Sequence, residues 1–299
     1  MHGWLVIDKE AGMTSAAVVG KARRITGAAK VGHSGTLDPL ATGVLPLAFG
    51  EATKTVAYVM DGAKTYRFTV AWGEARATDD AEGAVIETSD RRPSADDIRS
   101  VLADFVGEID QVPPVYSAIK VDGRRAYDLA RADQAVDLAS RTVRIDSLNL
   151  IDVPDADHAT FEAHCGKGAY MRSLARDLGR ALGTVGYVTA LRRLAAGPFN
   201  EADAISLDKL ITLGHSAPLE QALLPVETAL ADIPALALTA AEARCLHHGQ
   251  PIAALPVASR SPLTEVGQGV IFCAMAEGKP VALACVEGGE IRPVRVLNI

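Results

Sequence analysis

GHSGTLDPLATGVLP, residues 32–46, holds a single carboxylate, Asp38, between Leu37 and Pro39, with glycines at 32, 35 and 43. The first twelve residues follow neither a helical nor a strand period, so they read as a loop. The apolar run V-L-P-L-A at 44–48 then ties that loop to a core. Glycines at such positions allow another backbone to come close. An aspartate before proline commonly caps a turn. One carboxylate on an anchored loop, with His33 five residues upstream, also suits a nucleophile or a general acid–base. A metal site would need more ligands nearby than this stretch offers.

The surrounding chain bounds what such a loop could serve. It has 299 residues, enough for one large domain or one large and one small. Apolar residues make up 48 % and charged residues 22 %, the balance of a water-soluble globular protein. MHGWLVIDKE at the start lacks the basic and apolar regions of a signal peptide, and no apolar run nears the roughly 20 residues of a membrane span. The expectation is a cytoplasmic protein without membrane contact. Cys165, Cys245, Cys273 and Cys285 form no C-x-x-C pair and have no histidine at zinc-finger spacing, so no metal is expected.

The net charge is −7, but it is unevenly spread. The stretch 76–110 has ten acids against four bases, and its expected place is in solvent. From 164 to 193 one acid, Asp177, stands against Lys167, Arg172, Arg176, Arg180, Arg192 and Arg193. Screening over about 10 Å lets a local basic face bind phosphate on an acidic protein.

Residues 3–8 read as a strand, and Thr14 or Ser15 caps a helix over 16–26. Tyr66, Phe68, Val70 and Trp72 alternate, which predicts a strand over 65–73. S-A-D-D at 94–97 is a capping box opening a helix to about Phe105. Residues 112–131 read as an extended segment, a strand, a D-G turn and a helix. Strands follow near 142–152 and 159–165. Residues 169–182 read as a helix whose Arg172, Arg176 and Arg180, four apart, share one stripe. After 231 come a helix at 239–247 and short strands with E-G-K-P and E-G-G-E turns. The plan is an α+β domain over 1–231 and a small β-rich module over 232–299.

Five blocks in order resemble one known family. They are L-V-I-D-K-x-x-G-M-T-S (5–15), the loop at 32–46, G-E-A-T-K (50–54) with K-T-Y-R (64–67), Q-V-P-P-V-Y-S-A-I-K-V-D-G-R-R-A-Y (111–127), and C-G-K-G-A-Y-M-R-S-L-A-R-D-L-G (165–179) followed by L-R-R (191–193). Together they resemble the bacterial tRNA pseudouridine synthases that modify uridine 55, the TruB family. The resemblance implies a pseudouridine synthase fold, a mixed and mainly antiparallel sheet with flanking helices. It also implies a small PUA-like RNA-binding barrel at the C-terminus, supported by H-G-Q-P-I at 248–252.

The implied activity is isomerisation of uridine in the T-loop of tRNA, with the base flipped out. Isomerisation leaves the atom count unchanged, so no cofactor is expected, and without a sign of oligomerisation a monomer is the default expectation. Asp38 would be the catalytic aspartate, either attacking carbon or removing a ribose proton. Tyr66 would be a second catalytic residue, stacking on the uracil and helping to remove its C5 proton, where its strand position alone suggests a core aromatic. Arg172 would pair with Asp38. Tyr170 and Leu191 would line the uracil pocket, and His33 would stack in the space left by the flipped base. Asp80 matches a family acid after the Tyr66 strand and is counted among the substrate-binding residues. Lys9, Lys21, Arg23, Arg24, Lys167, Arg176, Arg192 and Arg193 would contact phosphates. The loop glycines would admit the RNA backbone. Glu10, where the family has proline, and Ala169, where it has threonine, depart from the pattern.

Three rival readings remain at this stage. A hydrolase using Asp38 would need a second catalytic carboxylate or a magnesium-binding acid pair, for which D-D at 79–80 is the only neighbour. An RNA chaperone would bind and refold tRNA without chemistry. A guide-RNA-dependent synthase would keep the chemistry and change the substrate.

Overall fold

The alternation of residues 64–72 and the capping at Thr14, Ser94 and Thr239 set the frame of the computed structural model. It describes all residues except Ala118, Asp122, Asp133, Ala135, Ala217, Pro218 and 262–268. Asp122 of the expected D-G turn thus lies outside the described residues. The larger part begins with β1 (Gly3–Lys9), α1 (Ser15–Thr26), β2 (Val31–His33), β3 (Thr42–Phe49), α2 (Val56–Asp61) and β4 (Lys64–Trp72). A small excursion follows: β5 (Glu74–Arg76), β6 (Val85–Thr88), α3 (Ala95–Val101) and β7 (Gly107–Gln111). Then come β8 (Lys120–Val121), β9 (Arg124–Arg125), α4 (Ala126–Arg131), β10 (Arg141–Asp155), β11 (His158–Cys165) and α5 (Met171–Ala181). β12 (Gly186–Ala196), β13 (Phe199–Asn200), β14 (Ala204–Ile205) and α6 (Leu207–Ser216) complete this part.

Its sheet runs β14-β1-β3-β12-β4-β11-β10-β7, with β2 on β3 and β13 on β12. The β1/β14 and β3/β12 pairs are parallel; the others are antiparallel. Every second residue of β4 faces one side, so Phe68, Val70 and Trp72 enter the main core while Lys64 and Tyr66 reach the cavity at its end. Phe68 stacks on Phe161 at 5.4 Å. α5 is held by Leu174, Ala175 and Leu178 in the same core.

The remainder forms β15 (Ala235–Ala237), α7 (Ala240–His247), β16 (Ile252–Ala253), α8 (Ala254–Ala258), β17 (Ile271–Ala276), β18 (Lys279–Glu287) and β19 (Glu290–Val296). Their five strands, ordered β15-β17-β18-β19-β16, make a curled sheet around a core of Leu246, Ile252, Phe272 and Ala284. The architecture is the expected α+β fold with a smaller β module.

The two sheets share packing. β1 sends Leu5 and Ile7 into the main core, and Trp4 and Val6 to the rear, where they join Phe199, Cys273, Leu283 and Leu297 in one buried cluster. G-E-A-T-K lies at this junction: Lys54 Nζ donates to Val296 O at 2.8 Å, and the Glu51 carboxylate accepts from Asn298 N at 2.8 Å.

Candidate active site

Asp38 sits on the turn between β2 and β3, and its neighbours on either side are clamped. Ser15 Oγ donates to Leu37 O at 3.1 Å and accepts from Leu37 N at 2.8 Å. Gly12 N and Lys9 Nζ both donate to Pro39 O, at 2.8 and 3.2 Å. Lys9, Gly12 and Ser15 all belong to the first sequence block, whose role is therefore to brace the aspartate. Leu37 and Ala41 are buried, while the Asp38 side chain remains 33 % exposed.

It opens into a cavity of about 560 Å³ whose walls include Tyr66, Tyr170, Arg172, Leu191, Lys64 and Arg193. That volume lies in the range of small-ligand sites. Arg172, on α5, is buried and joins three segments. Nε donates to Asp38 Oδ2 at 2.9 Å, Nη1 to Thr78 O at 2.9 Å and Nη2 to Tyr116 O at 2.9 Å. Asp80 Oδ2 lies 3.6 Å from the same Nε. One guanidinium therefore aims the Asp38 carboxylate and balances a second, buried one.

Tyr66 is half-buried on the cavity wall. Burial raises its phenol pKa, and the charge and hydrogen-bonding reach of the Arg193 guanidinium beside it pull the value back. Tyr170 caps α5, held by Gln111: Nε2 donates to Tyr170 O at 3.1 Å and Oε1 accepts from Tyr170 N at 2.8 Å. Gln111 is buried and lines the cavity. It was missed as a site residue, although it opens the fourth sequence block.

Several expected roles change. Lys9 is fully buried; its ammonium donates to the carbonyls of Glu10, Met13 and Pro39 and cannot meet a phosphate. Desolvation lowers its pKa to about 8 despite the opposing charge of Asp38. Asp80 is a structural counter-ion rather than a substrate contact: it is buried against Arg172 and accepts from Glu82 N at 3.0 Å.

Arg192 is bound on the opposite face from the cavity by Asp8 and Glu201, at 3.0 and 2.6 Å. Arg176 is engaged by Asp79 and Asp177 at 3.0 and 2.9 Å. The arginine stripe of α5 is thus largely internal, and Asp79 and Asp80 of the acidic stretch face arginines rather than solvent. His33 is half-buried on β2, its pKa lowered by burial and by Arg193, and it does not line the cavity. Lys167 remains exposed at the cavity rim, paired with Asp61 at 3.0 Å. Lys21, Arg23 and Arg24 are exposed on α1.

The loop glycines also serve the protein itself. Gly43 has φ +98°, and a Cβ there would lie 2.3 Å from Arg193 O. Gly35, at φ +116°, would place a Cβ 3.5 Å from Arg193 Nη1. Both make room for β12 and its arginine.

Residues 23–171 match the family described as TruB family pseudouridylate synthase (N terminal domain), and residues 172–231 match the tRNA pseudouridylate synthase B C-terminal domain. The chain belongs to the TruB family of pseudouridylate synthases. As such it is an isomerase. Among its relatives, the tRNA pseudouridine synthase B of Rhodospirillum rubrum is 62 % identical across all of this chain and 97 % of that protein. The one from Gluconacetobacter diazotrophicus is 57 % identical over 99 % of this chain and 97 % of that protein. The TruB chain also superposes on an H/ACA ribonucleoprotein bound to a substrate RNA containing 2′-deoxyuridine. The TM-score is 0.76 at 23 % identity, over 99 % of this chain and 85 % of the other, which shows a shared fold. Among the described residues no helix is long and apolar enough to cross a membrane.

Proposed function

We propose that this chain converts the uridine at position 55 in the T-loop of tRNA to pseudouridine, with Asp38 as its catalytic carboxylate. One observation carries the reading. Asp38 is held 2.9 Å from a buried arginine and opens into a nucleoside-sized cavity walled by Tyr66 and Leu191. The similarity to relatives named tRNA pseudouridine synthase B supplies the substrate.

The reaction breaks the N1–C1′ bond, turns the uracil and joins C5 to C1′. The C5 proton leaves and N1 takes up a proton, so the product has the formula of the substrate. The base must first be extruded from the RNA, and the cavity gives it a place. The Asp38 carboxylate can act by attack on carbon or by removing the ribose 2′ proton. Either route needs it ionised and aimed, which the Arg172 bond supports. Tyr66 and Leu191 would sandwich the detached ring. Lys167 at the rim and Lys21, Arg23 and Arg24 on α1 are exposed cations available to RNA phosphates. In this reading residues 1–231 form the catalytic domain and 232–299 an RNA-binding module of PUA type. The enzyme works as a cytoplasmic monomer and uses no cofactor.

The test is tritium release from tRNA labelled at uracil C5, with wild type and Asp38→Asn side by side and the product position mapped. One equivalent per tRNA from position 55, lost in the variant, is the expected result. Undiminished release by the variant, or release from another position, overturns the reading.

A further inference from the structure

Arg193 has 1 % of its surface exposed, yet it faces the cavity from β12. Its Nε donates to Val44 O at 2.7 Å and its Nη2 to Gly35 O at 3.2 Å. Nη1 is committed to no backbone carbonyl, and no carboxylate pairs with this guanidinium among the described residues. Arg172 in the same wall is balanced by Asp38 and Asp80. Burying a cation without a counter-ion is costly, and arginine does not relieve the cost by losing its proton. The site nevertheless keeps this charge; Gly35 leaves space beside the guanidinium and Gly43 beside the Arg193 backbone. Its field reaches the neighbours. After burial it is the next cause lowering the pKa of Lys64, to about 8, and of His33. Its direct cross-strand partner is Tyr66.

Resting on the isomerase reading above, we propose that Arg193 is a positioning residue for the reaction. It holds the Tyr66 phenol in place and supplies the fixed positive charge that meets the negative charge left on the uracil. When N1–C1′ breaks heterolytically, the bonding pair goes to the uracil. That pair returns to C1′ when C5 bonds to it, and the C5 proton then leaves. A cation already oriented in a water-excluded wall lowers the energy of the intermediate without rearranging. A phosphate-binding role does not suit a side chain so deeply buried.

The experiment compares Arg193→Met and Arg193→Lys with wild type by single-turnover tritium release, filter binding of unmodified tRNA and thermal melting. The methionine variant is expected to bind tRNA within about threefold of wild type and to react about a hundredfold or more slowly, the scale for losing one oriented electrostatic donor. The lysine variant, which keeps the charge, is expected to recover at least about tenfold of that loss. Three results overturn the proposal: wild-type rates in both variants, equal slowing in both, or loss of binding with an unchanged rate. If the methionine variant does not fold, Arg193→Lys is combined with Tyr66→Phe. A residue acting through Tyr66 then costs less in that background, and strictly additive losses overturn the proposal. Failure of the wild type to release tritium, or release by Asp38→Asn, would instead strike the isomerase reading itself.

Discussion

Replacing Arg172 with methionine separates aiming from folding. The change removes bonds of 2.9 Å to Asp38, Thr78 and Tyr116, and the only cation paired with buried Asp80 among the described residues. The side chains of Arg172 and Asp80 are 4 % and 5 % exposed, so the loss leaves a buried carboxylate uncompensated. Breaking such a pair costs about 3–5 kcal/mol. For a chain of 299 residues that is a fall in melting temperature of roughly 5–8 °C. Adding Asp80→Asn removes the stranded charge, and most of the lost stability should return, because deleting both partners of a buried pair is often near neutral. Activity should not return. Asp38 still lacks its guide, and small misplacements of a reacting group cost about a hundredfold. The assay is differential scanning calorimetry beside single-turnover tritium release on Arg172→Met and on the double variant. Recovery of rate together with stability would mean that Arg172 acts through folding alone. No recovery of stability would mean that Asp80 is not its charge partner.

Leu297→Ala, in the cluster shared by the two sheets, should cost about 2–5 kcal/mol; a denaturant midpoint unchanged from wild type would show that the two parts are not packed together. Gly43→Ala forces a Cβ to 2.3 Å from Arg193 O at φ +98°. It should destabilise by more than about 1 kcal/mol and slow catalysis with it, and a variant as stable and active as wild type refutes the contact. Lys64 has a pKa lowered from 10.5 to about 8 by burial and then by Arg193. Folded protein therefore binds fewer protons than unfolded between those values, and the contribution of Lys64 to stability rises with pH across that window and is smallest below it. Unfolding curves of wild type against Lys64→Met from pH 8 to 10.5 should diverge in favour of wild type; parallel curves sink the assignment.

The strand at 64–72, the helix after Thr14 and the capping box at Ser94 were readable because local periodicity and capping chemistry determine them. Asp38 and Arg172 were readable through the family blocks, and the structure brings them together. The basic cluster was not. Helical spacing shows that Arg172, Arg176 and Arg180 share a stripe, but not what packs on it. Asp79 and Asp80, more than 90 residues earlier, fold back onto its first two members. Lys9 looked like a surface cation because its partners are backbone carbonyls, which no residue type announces. Gly43 suggested room for a ligand, while the close neighbour is Arg193 itself.

The rear cluster brings Trp4 and Val6 beside Leu283 and Leu297. Contacts between residues so far apart in sequence close late, because the loop entropy must be spent first. During synthesis the ribosome therefore releases the Asp38 loop and most of the large sheet well before Leu283 and Leu297 can complete the cover on the sheet's back. Until residue 297 has emerged, the nascent enzyme carries an open apolar face that invites aggregation. A transcript broken late in its coding sequence would then yield insoluble protein instead of a partly working enzyme competing for RNA.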